Sequence, residues 1–302
     1  PNRRLLLGLI FANLGSMRRQ ARWSQKGLAS YSRSPGRQAD EDQLTDFIVL
    51  LGRGSSPEET IDRLGSLKNG EDGLSKRLRG LVRSEIGAAY LHSRRPGEAQ
   101  ALLHEAMALC LGRDGYPEHE AVILNRLGTA KMFLQDYASA RKYFLQASRS
   151  ARRIGDWPTL RRIEGNLGLL SLYCAEPEAA LQWFRRHRDG VVHSRRYSEY
   201  LSTLLNETNC HIDLGKGLAA ERRSRLAVSL AETLSDDMRL AYAQNNLGWI
   251  MTMRCKGRIA KDCLETALVM RENIGDNEGI AQTRLNFARL HLLARNYDLV
   301  AE

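Results

Sequence analysis

Asparagine stands at positions 166, 206, 246 and 286, forty residues apart each time. A carboxamide both donates and accepts hydrogen bonds. A row of carboxamides at one spacing can pair with the backbone of an extended peptide whatever its side chains, or it can knit one structural unit to the next. The slot before the row holds Arg126, with Asn125 beside it. Other chemistry finds no foothold. Gly215-Lys216-Gly217 is a turn with a lysine and lacks the upstream glycine of a phosphate loop. His187 and His193 are six apart and Cys255 and Cys263 eight apart, and neither spacing is a metal-ligand signature. No serine or cysteine stands out as a nucleophile with its own base. The sequence therefore predicts no catalytic residue, no metal and no cofactor: a protein that binds and is not an enzyme.

The asparagines belong to a larger repeat. Leu127-Gly128, Leu167-Gly168 and Leu247-Gly248 recur in phase at multiples of 40, and Ile86-Gly87 stands one further period back, off by one residue. At the equivalent positions Glu207-Thr208 and Phe287-Ala288 break the pattern, yet Asn206 and Asn286 remain beside them. A second series runs Ala99, Ala140, Ala180, Ala220 and Ala260. A third runs Ala106, Ala147, Ala227 and Ala267, with His187 in the remaining slot. Three series in one register describe stacked units, each too small to bury its apolar face alone.

Each unit reads as helix A, a short turn and helix B. Val122, Ile123, Leu127, Ala130 and Leu134 fall at helical spacing. The turns hold Arg95-Pro96-Gly97, Gln135-Asp136-Tyr137, Glu176-Pro177 and Lys256-Gly257. Helix B ends at Ile154-Gly155-Asp156 and Ile274-Gly275-Asp276, where glycine suits a C-terminal cap.

Segment 121 to 156, AVILNRLGTAKMFLQDYASARKYFLQASRSARRIGD, resembles the tetratricopeptide repeat: Leu-Gly in helix A, a small residue early in helix B and an alanine later in it. Segment 241 to 276 resembles it nearly as well. The standard unit is about 34 residues; a period of 40 is similar to the longer-helix subclass of kinesin light chain and many bacterial regulators. The resemblance implies an all-α fold, a right-handed superhelix (α-solenoid) of stacked antiparallel helix pairs with helix A along the concave wall. It implies five regular repeats and a truncated sixth over 83–302. Residues 1–82 read as degenerate helical repeats with a polar loop near 30–43, and Pro57-Glu58-Glu59-Thr60 sits where a helix B should begin.

In that fold the asparagines line a groove. The resemblance to kinesin light chain and to bacterial peptide-pheromone receptors implies that Asn166, Asn206, Asn246 and Asn286 hold peptide backbone. An equally weighted reading has them tie neighbouring helices together. By repeat geometry Arg126, Arg162, Asn209, Asn245, Trp249 and Arg289 face the same groove, together with Tyr173, Tyr242 and Met253. Trp249 is the candidate anchor. Arg126, Arg162 and Arg289 favour a carboxylate, hence an acidic protein or peptide partner.

Formal net charge is +10. Arg149, Arg152 and Arg153, then Arg185, Arg186 and Arg188, then Arg222, Arg223 and Arg225 recur on helix B and raise nucleic acid as a second partner. Acidic residues are interspersed and no aromatic residues interleave with these arginines, so a solvated face is the stronger reading. An architectural subunit, its groove filled by itself or by another copy, is a third. Five cysteines without a CxxC point to a reducing, cytoplasmic setting. Arg3-Arg4 before the apolar run Leu5 to Phe11 mimics a signal peptide, but no small-x-small cleavage site follows. No run is apolar for the roughly 18 residues a membrane span needs. The start at Pro1 and the end at Glu302, inside a repeat, predict a fragment; the resemblance to bacterial tetratricopeptide regulators implies that the whole is a larger bacterial signalling or transcription regulator.

Overall fold

The computed structural model describes residues 45, 48–49, 56–69, 74–110, 116–193 and 196–298. The loop expected near 30–43 lies outside them. The described residues contain no strand. Their helices are α1 (Pro57–Asn69), α2 (Lys76–His92), α3 (Pro96–Cys110), α4 (Pro117–Phe133), α5 (Tyr137–Ile154), α6 (Trp157–Tyr173), α7 (Pro177–His193), α8 (Tyr197–Asp213), α9 (Gly217–Leu234), α10 (Asp237–Met253), α11 (Gly257–Ile274) and α12 (Asn277–Asp298). The even-numbered helices are the A helices of the repeat and the odd-numbered ones the B helices. The chain divides into two compact units, residues 1–163 and 164–302, with the boundary inside α6. Among the described residues each unit is all-α, a run of stacked antiparallel helix pairs of the α-solenoid kind.

The turns explain the short connections. Between A and B the chain passes through a left-handed residue at Gln135, Ala175, Gly215 and Cys255, a 40-residue series in which only one member is glycine. Between B and A the left-handed residue is Gly155, Ser235 or Gly275. The next A helix is then capped by an aspartate: Asp156 accepts from the Thr159 amide at 3.1 Å, Asp236 from Arg239 at 3.0 Å and Asp276 from Gly279 at 2.9 Å.

The repeated glycines mark where helix A meets its own helix B. A Cβ on Gly128 would meet the Phe144 ring at 2.6 Å, one on Gly168 the Phe184 ring at 2.5 Å, and one on Gly248 the Leu264 side chain at 2.6 Å. The alanine series sits at the same seam. Ala99, Ala140, Ala180, Ala220 and Ala260 are all fully buried, as are Ala106, Ala147, Ala227 and Ala267. In the first unit Leu103, Ile123 and Leu127 pack with these alanines. In the second, Leu247, Ile250, Met251 and Leu264 do.

The pattern break at 207–208 is a substitution of one packing solution for another. Thr208 replaces the glycine, and the bulky residue sixteen positions later becomes Ser224; both are fully buried. The Ser224 hydroxyl donates to the Ala243 carbonyl at 3.1 Å. Glu207, 1% exposed, replaces the leucine. It accepts from Arg188 of α7 at 2.6 Å and lies 3.1 Å from Arg223 of α9.

In the first unit His119 is half-buried, its enclosed Nε2 has no hydrogen-bond partner, and burial holds the imidazole below its ordinary 6.5. The folded ring is therefore neutral where the unfolded ring begins to take a proton. Its contribution to stability is complete above pH 6.5 and is lost as pH falls through the lower folded value. Urea midpoints should accordingly drop between pH 7.5 and 5.5. Part of that drop should vanish in His119→Leu; an unchanged slope in the variant would remove His119 as its source.

Candidate peptide-binding cleft

The A helices of the second unit present a common face. α8 touches α10 and α10 touches α12. Because these helices share one period, residues forty apart stand in rows across them: 206, 246 and 286, then 209, 249 and 289. A cleft of about 680 Å³ opens along these rows, lined by Asn206, Asn209 and Asp213 from α8, by Tyr242, Asn245, Asn246 and Trp249 from α10, and by Asn286 and Arg289 from α12.

The carboxamides form hydrogen-bonded pairs from helix to helix. Asn246 Nδ2 donates to Asn209 Oδ1 at 2.9 Å, and Asn209 Nδ2 donates to the Tyr242 hydroxyl at 2.9 Å. Asn286 Nδ2 donates to Asn245 Oδ1 at 3.0 Å. Asn245, Asn246 and Asn286 are buried, whereas Asn206 and Asn209 are half-buried. These pairs stop short of using every polar atom. Asn246 Oδ1 and Asn245 Nδ2 remain after the pairing, and Asn206 makes no hydrogen bond among the described residues. A row that is half knitted and half open is preorganised: its amides are held in place, and some of their capacity still faces the cleft.

Three arginines and three carboxylates also line it: Arg239, Arg271 and Arg289 against Asp213, Asp276 and Glu278. Arg239 pairs with Asp236 and donates to Ser198 Oγ at 3.0 Å. Arg271 is 3% exposed, the corresponding B-helix residues being Ala151, Val191 and Ala231. Its guanidinium donates to the Gly279 carbonyl and to Thr283 Oγ1 at 2.8 Å, with Asp276 3.7 Å from Nε. Burial pulls its pKa down from the ordinary value, and Asp276 opposes that pull. The guanidinium of Arg289 lies 4.8 Å from the Trp249 ring centre and donates to Asn286 at 3.4 Å.

The cleft thus gathers seven of the residues expected at a groove: Asn206, Asn209, Asn245, Asn246, Trp249, Asn286 and Arg289. Tyr242 lines it too. Asn166 is half-buried on α6 and is not among the lining residues. Tyr173 and Met253 are exposed, away from the lining. Arg126 and Arg162 belong to the first unit. Arg126 is committed there, donating to Ser84 Oγ at 2.6 Å and to Glu85 at 2.8 Å. Arg271 escaped the sequence reading because three apolar residues at its register position signal a packing site.

Several helix-B arginines are engaged locally. Arg153 pairs with Glu120, Arg188 and Arg223 with Glu207, and Arg225 with Glu221. Arg186 stacks on Trp183 at 4.8 Å. No helix among the described residues is long and apolar enough to cross a membrane.

Residues 119–190 match the model of the tetratricopeptide repeat family. No curated protein matches the chain. Among solved structures, the apo form of RapI aligns with a TM-score of 0.66 at 13% identity, covering 94% of this chain and 80% of that one. BtubC (BKLC) from P. vanneervenii aligns at 0.61 with 15% identity, covering 73% and 90%. A Rap protein complexed with Competence and Sporulation Factor aligns at 0.58 with 13% identity, covering 88% and 78%. Identities this low establish a shared fold. Joined to the helix pairs, the glycine seams and the two alanine series, the family match makes residues 119–190 a stretch of tetratricopeptide repeat.

Proposed function

We propose that the chain is a binding module that holds an extended peptide, or an extended segment of a protein, in the cleft of the second unit. The observation that carries this reading is the half-open amide row. Main-chain N–H and C=O groups of an extended segment alternate in direction and need both donors and acceptors; Asn206, the free edge of Asn246 and the free edge of Asn245 offer both. Trp249 supplies apolar area beside them. The shared fold with a Rap protein complexed with Competence and Sporulation Factor supports the same kind of use. We infer further that the module serves as the sensor or scaffold part of a larger bacterial signalling or transcription regulator, working in the cytoplasm, with an acidic ligand segment facing Arg289.

The test is retention of a random octapeptide library on the immobilised chain, quantified by mass spectrometry. Asn206→Leu should leave the thermal midpoint within what about 0.5 kcal/mol would move, because Asn206 makes no internal bond. It should weaken retained peptides about tenfold, the effect of removing one hydrogen-bonding group and leaving its partner unpaired. Retention that the variant leaves untouched would move the interaction off this cleft.

A further inference from the structure

The charges that line the cleft are not equivalent, and most of them are explained without a ligand. Asp276 caps α12. Glu278 lies in the first turn of α12, where the helix dipole favours a carboxylate. Arg239 is held by Asp236, and Arg271 is held by Gly279, Thr283 and Asp276. Two groups are left over. Asp213 is the last residue of α8, where the helix dipole disfavours a carboxylate, and no hydrogen bond or ion pair compensates it among the described residues. Arg289 lies over the Trp249 ring with one long bond to a neutral amide and no carboxylate. Asp213 and Arg289 are both exposed.

These two groups stand at opposite sides of the cleft. Asp213 is on α8 and Arg289 on α12, with α10 and Trp249 between. Residue 289 shares its level with 209 and 249, and 213 is one helical turn beyond 209. At ~8–10 Å between neighbouring helices, the crossing from α8 to α12 is about 20 Å, or about six residues of extended chain. The open amide edges lie along that path.

We propose that the cleft selects a dipolar peptide and fixes its direction: a cationic group over Asp213, about six extended residues across the amides, and a carboxylate on Arg289. This rests on the peptide-binding reading above and adds the ligand's charge pattern to it. An uncompensated anion and an unpaired cation on opposite rims exclude the reversed ligand more strongly than they hold the correct one, since reversal places like charges together at both ends.

The probe is a set of octapeptide libraries with randomised centres and acetylated, amidated ends. One carries lysine near the start and glutamate near the end, the second reverses them, and the third has glutamine at both places. A fourth has glutamine there and free termini. The wild-type chain should retain one of the two charged polarities at least about tenfold better than the other, with the capped neutral library between them. The double variant Asp213→Lys, Arg289→Glu should retain the opposite polarity, a gain that a misfolded protein cannot show. Retention of the free-terminus library at the level of the favoured one would identify the chain termini as the charges read; retention at the neutral level would assign them to side chains. Equal retention of both polarities by the wild type, or an unchanged preference in the double variant, overturns the proposal while leaving a peptide cleft. Retention of none of the libraries overturns the cleft reading and this one with it.

Discussion

Removing Arg188 and Arg223 together should cost the second unit about 3–5 kcal/mol of stability, the range for a buried carboxylate stripped of its partners. Glu207 is 1% exposed and takes both guanidinium groups, one from the preceding helix B and one from its own. With both replaced by alanine the carboxylate loses its two paired guanidinium groups, keeps only the weaker influence of Arg185, and must be protonated, solvated by distortion, or exposed. Adding Glu207→Leu should recover most of the loss, because leucine is what the repeat places there at 127, 167 and 247. Glu207→Leu alone should cost much less than the double arginine variant. The Arg188 and Arg223 side chains are 22% and 35% exposed and can turn to water once the carboxylate is gone. The measurement is the urea midpoint of the four proteins. If the triple variant is no more stable than the double, Glu207 is not the seat of the loss.

The second large effect lies at the glycine seam. Gly168→Thr places a side chain where even a Cβ would stand 2.5–2.8 Å from three atoms of the Phe184 ring. Overpacking of this kind costs about 1–3 kcal/mol, and Phe184→Ser alone costs about 3–5 kcal/mol through the cavity it leaves. The neighbouring repeat already carries Thr208 with Ser224. The double variant should therefore lose less than the two singles together, with a favourable coupling of at least about 1 kcal/mol. Strict additivity in the cycle would mean that positions 168 and 184 do not share one space.

Much of this architecture is legible in the sequence. The turns at Asp136-Tyr137, Glu176-Pro177 and Lys256-Gly257, the caps at Gly155 and Gly275, and the burial of the alanine series all follow from local rules that act within a few residues. Thr208 and Glu207 looked like decay of the motif because a linear pattern scores each position alone. Their compensation lies sixteen or nineteen residues away, in Ser224 and Arg188. The site shows the same division. A period of forty is enough to place Asn206, Asn246 and Asn286 in one row, since rows follow from repetition. It says nothing about which amide edge is used. The partners of Asn246 and Asn286 are Asn209 and Asn245, offset by 37 and 41 residues, and that offset depends on side-chain rotamers. The arginines illustrate the limit most sharply. Arg126 and Arg289 looked alike as groove cations, but Glu85 claims the first and no carboxylate claims the second.

The seams also differ in what would survive copying. Each glycine or threonine fits a residue of its own repeat, sixteen positions on, so the steric lock of a repeat is self-contained. The amide pairs cross from one repeat to the next. A gene segment cut between a helix B and the following helix A would carry its lock intact and leave its amides unmated. Duplication or loss of a whole cassette would then preserve folding while renewing the row of open amides, and such an array can change its binding face by recombination without first losing its core.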